Sequence, residues 1–127
     1  MKVVAIIQAR MGSARLPGKS MIRIGGLPII EHVINRVSSA NNIDSLVLAT
    51  TTNPLDDILA NFVRNKLNIP VYRGEENDVL GRFTSAAEKY DADLIVRITG
   101  DDPMKDPEVI DHIIENFQCS RLRYDYV

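Results

Sequence analysis

Residues 9–19 read ARMGSARLPGK, with three cations (Arg10, Arg15 and Lys19) set among Gly12, Ser13 and Gly18. These types at this spacing suit one task. Gly12 and Ser13 let backbone N–H groups come close to an anion. The two arginines can each grip phosphate oxygens through paired N–H bonds. Pro17 stiffens the turn. Three cations match a polyphosphate better than a monophosphate. The competing use is a solvated basic loop paired with surface acids, and such pairs are common and weak. The interleaved glycines, and the apolar run that ends just before the loop, favour the anion site.

Two familiar phosphate loops do not fit. The P-loop needs four residues between its first glycine and Gly-Lys-Ser. Here Gly12 and Gly18-Lys19-Ser20 are one residue too far apart, and Pro17 stands where the second glycine belongs. A P-loop also runs straight into a helix, whereas Lys19-Ser20 leads to residues 21–24 and then Gly25-Gly26. The dinucleotide fingerprint G-x-G-x-x-G is absent.

The elements that must hold this loop alternate along the chain. Residues 3–9 form a continuous apolar run with β-branched members, as a strand covered on both faces requires. After a short segment at 21–24, Pro28 fits the first turn of a helix with Ile29, Ile30, Val33, Ile34 and Val37 on one face. Residues 46–49 read as a second strand. Asn53-Pro54 then caps a helix carrying Leu55, Ile58, Leu59, Phe62 and Val63. Residues 71–72 read as a third strand, and Asp78 caps a helix with Val79, Leu80, Phe83, Ala86, Ala87 and Tyr90 inward. Residues 94–98 read as a fourth strand. Asp106-Pro107-Glu108 opens a last helix with Val109, Ile110, Ile113, Ile114 and Phe117 inward, and residues 124–127 again alternate like a strand. This order predicts an α/β fold, a doubly wound and mostly parallel sheet with helices on both faces. Ligands of such sheets bind beyond the carboxyl ends of the strands. Those exits are residues 10–19, 50–53, 73–78 and 99–106, and all four are polar.

The bulk numbers exclude several classes. A chain of 127 residues supports one core. A net charge of −2 gives no sign of a general nucleic-acid or membrane binder, so an anion site must come from local charge. Cys119 is the only cysteine, which rules out an intrachain disulfide and points to a reducing compartment. The first apolar run is too short for a signal peptide or a membrane span, so the expected location is cytoplasmic. His32 and His112 read as surface residues, and no Cys/His set has zinc spacing.

The stretch AIIQARMGSARLPGKSM resembles the opening of the CMP-sugar synthetases, the cytidylyltransferases, whose pattern is a strand followed by A-R-x-x-S-x-R-L-P-x-K. The similarity is greatest to the spore-coat-polysaccharide branch. It continues at ATTTNPLDD, VYRGEENDVLGRF and VRITGDDPMKDPEVID. The resemblance implies a nucleotide-diphospho-sugar transferase-like, Rossmann-like sheet, incomplete at its C-terminus. Residues 1–127 would be the nucleotide-binding part of a single nucleotidyltransferase domain. The implied activity is transfer of CMP from CTP to an acidic sugar for surface polysaccharide synthesis, with Mg²⁺ and release of pyrophosphate. The implied partners are CTP and the sugar, without nucleic acid or membrane, in a homo-oligomer.

By that match Arg10, Ser13, Arg15 and Lys19 hold the triphosphate, with Arg10, Arg15 and Lys19 as the catalytic cations and Gly12 beside them. Cations preorganised around the leaving pyrophosphate stabilise the charge that grows there. The first acid of the family's G-D-x-P, here Asp101, is the implied Mg²⁺ ligand. Magnesium takes one or two carboxylates together with phosphate oxygens and water. The family places Cys or Glu where this chain has Asp102. Arg73 matches the base-recognition segment, where a guanidinium can donate to O2 and N3 of cytosine, and Thr50 lies at the implied nucleotide edge. Surface pairing of Arg73 with Glu75 or Glu76 is the competing use. Arg82 is placed to pair with Asp78 across one helical turn. Arg97, inside an apolar strand, needs a partner such as Asp93 or Asp101. The family continues for about one further small domain, which carries a second metal-binding aspartate. The alternatives are therefore a nucleotide-binding or assembly domain without turnover, and a nucleotidyltransferase that uses another base.

Overall fold

The computed structural model describes residues 1–12, 14–120 and 125. Ser13 lies outside the described residues, as do residues 124, 126 and 127 of the strand-like alternation at the end.

The chain forms β1 (Val3–Gln8), β2 (Arg23–Ile24), β3 (Leu27–Pro28), α1 (Ile29–Ser38), β4 (Ser45–Thr51), α2 (Asp57–Asn61), β5 (Val71–Gly74), α3 (Val79–Lys89), β6 (Leu94–Thr99) and α4 (Pro107–Ser120). Four strands make a parallel sheet in the order β5-β4-β1-β6. The run VVAIIQ takes the interior position of β1 because its side chains are apolar on both faces. Val3, Ala5 and Ile7 join Leu46, Leu48 and Ile98 in one core, against Ile30 and Val33 of α1, Leu59 of α2, and Ile110 and Ile114 of α4. Val4 and Ile6 join Val47 and Ala49 in a second core, against Phe83, Ala86 and Ala87 of α3. The sheet is thus covered on both sides, as its sequence predicts. Each fully buried aliphatic side chain stabilises the fold by about 1.5–3 kcal/mol relative to exposure.

The strand order sets the position of the site. From β1 the chain moves outward to β4 and β5, then returns to place β6 on the other flank of β1. The loops leaving β1 and β6 therefore diverge, and a crevice opens between them at the switch point.

Several local readings are corrected. Residues 21–24 do not form an isolated segment. Arg23 and Ile24 pair antiparallel with Leu27 and Pro28 across Gly25-Gly26. Both glycines have positive φ, 60° and 86°, which the tight twist of a two-residue hairpin demands and which side chains resist. His32 is half-buried beneath this hairpin, with Nε2 2.6 Å from the Ile24 carbonyl oxygen. Leu55 and Ile58 are exposed, against expectation; Leu59, Ala60 and Val63 face inward. The segment starts with a 3₁₀ turn over Pro54–Asp56 and ends in a wide turn closed by Leu67 N–H to Phe62 O. Changing the number of residues per turn shifts which positions face the sheet. Val79 and Leu80 lie in the first turn of α3 and remain exposed; the helix meets the sheet from Phe83 onward. On α4, Ile110 and Ile114 are buried, whereas Val109 and Ile113 are exposed and Phe117 is half-buried. Arg97 is exposed and lies over the Phe83 ring at 5.1 Å from its centroid, in place of an ion pair with Asp93 or Asp101. No helix among the described residues is long and apolar enough to cross a membrane.

Candidate functional site

The crevice between the exits of β1 and β6 is a cleft of about 210 Å³ lined by Gln8, Ala9, Arg10, Lys19, Ser20, Thr99, Gly100 and Asp101. The two exits are locked together at its floor. Gly100 donates its N–H to the Gln8 carbonyl at 2.8 Å, extending the β1–β6 ladder by one step. A Cβ at Gly100 would meet Ala9 Cβ at 2.7 Å and Gln8 O at 2.8 Å, so only glycine permits this approach.

From β1 the cationic loop rises and returns. Met11 donates its N–H to Asp56 Oδ1 at 2.6 Å and accepts the Gly18 N–H at 2.8 Å. Gly18 takes φ 75°, a left-handed conformation, and delivers the chain to the short turn Lys19–Met21. Lys19 is thereby aimed across the cleft, with Nζ 3.2 Å from Asp101 Oδ2. The hydrogen bond from Lys19 holds the Asp101 carboxyl below its usual range, against slight desolvation; the Lys19 charge, the backbone N–H and Thr99 add to it. Asp101 remains well exposed, with 57% of its side chain open.

Arg10 leaves β1 toward the exit of β5, where its NH1 lies 3.4 Å from Glu76 Oε1. The other Glu76 oxygen accepts from Asn53 Nδ2 at 2.9 Å. Gly12 lies beside the Arg10–Glu76 pair. Arg15 is exposed and has no ion-pair partner among the described residues. The structure therefore brings Arg10, Lys19 and Asp101 to one cleft and leaves Arg15 open to solvent near the tip of the loop.

Thr50 and Arg73 do not share that cleft. Thr50 is fully buried in β4, and its hydroxyl has no hydrogen-bond partner; a nucleotide in the cleft cannot reach it. Thr51 is buried too, and its hydroxyl donates to Asp56 Oδ2. Arg73 spends its donors on the protein. Its Nε bonds Thr51 O at 2.7 Å, NH2 bonds Asn53 O at 3.0 Å, and NH1 lies 2.8 Å from Asp57 Oδ1. It ties β5 to the exit of β4, and its acid is Asp57 rather than Glu75 or Glu76. Arg82 is buried and donates NH1 to the carbonyls of Glu75 and Glu76 at 2.8 and 2.7 Å, not to Asp78. Asp78 instead caps α3 through Gly81 N–H. Sequence reasoning missed Asp56 and the placing of Glu76 against Arg10. Neither acid stands out by type or spacing.

The donor set bears on a metal. Asp101 offers one open carboxylate. Asp102 is engaged in its own turn, accepting Met104 N–H at 2.9 Å and pairing with Lys105 at 3.5 Å. Among the described residues no group of three or more His, Cys, Asp or Glu could hold an ion. One open carboxylate beside the cations of the cleft fits Mg²⁺ of the kind whose remaining positions go to phosphate oxygens and water.

A cytidylyltransferase family profile matches residues 4–125. The spore coat polysaccharide biosynthesis protein SpsF of Bacillus subtilis is 38% identical over 98% of this chain and 53% of its own length. A 3-deoxy-manno-octulosonate cytidylyltransferase of Hydrogenovibrio crunogenus is 32% identical over 94% of this chain and 48% of its own. The structure of a cytidylyltransferase from Leptospira borgpetersenii superposes with a TM-score of 0.89 at 36% identity, covering 95% of this chain and 50% of that one. The chain spans about half the length of the relatives it matches. A crevice at the switch point, lined by Arg10, Lys19 and Asp101 of the sequence motifs, and a profile that runs through nearly every residue lead to one assignment: the chain belongs to the cytidylyltransferase family.

Proposed function

We propose that this chain forms the nucleotide-binding part of an enzyme that transfers CMP from CTP to the hydroxyl of an acidic sugar, in the synthesis of a surface polysaccharide. The observation that supports this best is the facing of Lys19 and Asp101 across the cleft at 3.2 Å. One group suits a phosphate and the other suits the metal that accompanies it. The acidic sugar and the cytidylyl group are drawn from what the relatives, about twice this length, are named for.

In the proposed reaction the sugar oxygen bonds to the α-phosphorus of CTP, and the bond to the bridging oxygen breaks to release pyrophosphate. Negative charge grows on the leaving group, so the groups that hold it must already be in place. Lys19 and Arg10 line the cleft and Arg15 stands free to reach the outer phosphates. Asp101 would hold Mg²⁺, which supplies charge neutralisation between phosphate oxygens when bound. The floor set by Gly100 keeps the exits of β1 and β6 at fixed separation, so the cations need little rearrangement.

A second reading is nucleotide binding without turnover by this chain alone. Calorimetry with CTP, UTP, ATP and GTP in Mg²⁺ tests the nucleotide, with CTP expected to bind tightest. Equal affinities for all four would remove the assignment of the base. Pyrophosphate release from CTP and an acidic sugar separates turnover from binding alone.

A further inference from the structure

We propose that Asp56 is a positioning residue for polyphosphate binding, because its buried carboxylate pins the base of the cationic loop. The inference rests on the reading of that loop as the phosphate site. Asp56 is only 2% exposed, and none of the ion pairs among the described residues includes it. A buried acid is costly unless hydrogen bonds replace its water. Asp56 spends both oxygens on donors: Oδ1 accepts the Met11 N–H at 2.6 Å, and Oδ2 accepts the Thr51 hydroxyl.

The first of these bonds spans 45 residues of sequence and falls on a critical peptide. Met11 follows Arg10 directly and precedes Gly12. Its carbonyl accepts the Gly18 N–H, so this one residue is held at its N–H by Asp56 and at its carbonyl by the far end of the loop. Gly12 and residues 14–17 lie between these two fastened ends. The bonds continue past Asp56. Thr51 Oγ1 accepts the Asn53 N–H at 3.1 Å, Asn53 Nδ2 donates to Glu76, and Glu76 pairs with Arg10. The path returns to Arg10, the residue next to Met11. A carboxylate near phosphate sites would repel the ligand if it were open. Here it is buried and saturated by donors, and its effect on the ligand passes through the loop.

The test measures CTP and CMP affinity by calorimetry, in Mg²⁺, for the wild-type chain, Asp56→Ala, Asp56→Asn and Thr51→Val, each checked for folding by circular dichroism. Asp56→Ala should lose CTP affinity about tenfold or more while CMP affinity changes by less than about threefold, since the loop serves the outer phosphates. Asp56→Asn keeps an acceptor for the Met11 N–H and should restore most of the CTP preference. A general structural role would weaken both nucleotides together and gain no such selective rescue. If the alanine variant does not fold, Thr51→Val carries the test: it removes the donor to Asp56 Oδ2 and should weaken CTP more than CMP, and an unchanged CTP-to-CMP ratio in it overturns the role of Asp56. A folded Asp56→Ala with the wild-type ratio overturns it as well. A wild-type chain with no preference for CTP over CMP overturns the phosphate assignment of the loop itself, and this inference with it.

Discussion

Lys19 Nζ lies 3.2 Å from Asp101 Oδ2, across a gap of 82 residues in sequence and between the exits of two neighbouring strands. Each partner neutralises the other. The Asp101 carboxyl is held below its ordinary value of 3.8 by this contact. A lowered carboxyl contributes stability above its ordinary value and loses it as pH falls through the lower folded value. In an NMR titration the Asp101 midpoint should fall below 3.8 and rise toward it in Lys19→Met. Identical midpoints in the two proteins would refute the coupling.

Asp101→Asn should abolish the enhancement of CTP binding by Mg²⁺ while leaving the fold intact, since the side chain is exposed. Titrating CTP with and without Mg²⁺ reads the effect directly. Strong Mg²⁺ binding to the wild-type chain without nucleotide would contradict a site completed by phosphate oxygens.

Arg15→Ala removes an exposed guanidinium with no ion-pair partner among the described residues, so thermal stability should stay unchanged. CTP affinity should drop by about 1.5–3 kcal/mol, roughly ten- to hundredfold, and CMP affinity by less. Equal losses for the two nucleotides would move Arg15 away from the outer phosphates.

Glu76→Gln should tighten CTP binding by up to about fivefold, because an exposed ion pair worth about 0.2–1 kcal/mol no longer competes for Arg10. The glutamine retains an oxygen for Asn53. Weaker CTP binding in this variant would mean that Glu76 orients Arg10 productively rather than competing for it.

Gly100→Ala forces a Cβ to within 2.7 Å of Ala9 and 2.8 Å of the Gln8 carbonyl. The exits of β1 and β6 must part, at a cost of about 1–3 kcal/mol. Chemical denaturation should show the loss, and CTP affinity should fall with it because the cleft floor moves. A variant as stable as wild type would show that the two exits can separate freely.

The alternation of apolar runs and helical stripes made the parallel sheet legible, and the strand exits followed from it. That Arg10, Lys19 and Asp101 lie at the strand exits was legible as well, since Arg10 and Asp101 each stand two residues beyond a strand and Lys19 closes the loop after one. Thr50 was not. Membership in an exit segment does not say where the strand stops, and β4 runs through Thr51, burying Thr50 inside the sheet. Arg73 and Arg82 were misplaced because a guanidinium satisfies carbonyls as readily as carboxylates. The carbonyls it finds depend on how distant loops meet. Asp56 escaped for the same reason, as its principal donor comes from another strand's exit. The exposed Leu55 and Ile58 show the limit of a strict 3.6-residue stripe when the helix begins and ends with turns of other widths.

The strand order also governs when this site can exist. β1 pairs with β4 about 40 positions later in the chain, but Val3 meets Leu94 only after 91 residues have been laid down. A chain emerging from the ribosome presents the cationic loop long before Asp101 and Gly100 have been made. Contacts of such long range are formed slowly, because loop closure must precede any reward from pairing. The cleft between the exits of β1 and β6 is thus among the most non-local features of the molecule. Its ability to hold a ligand reports that the last strand has reached its place, and a ligand that grips both exits favours the fully assembled sheet over any shorter intermediate.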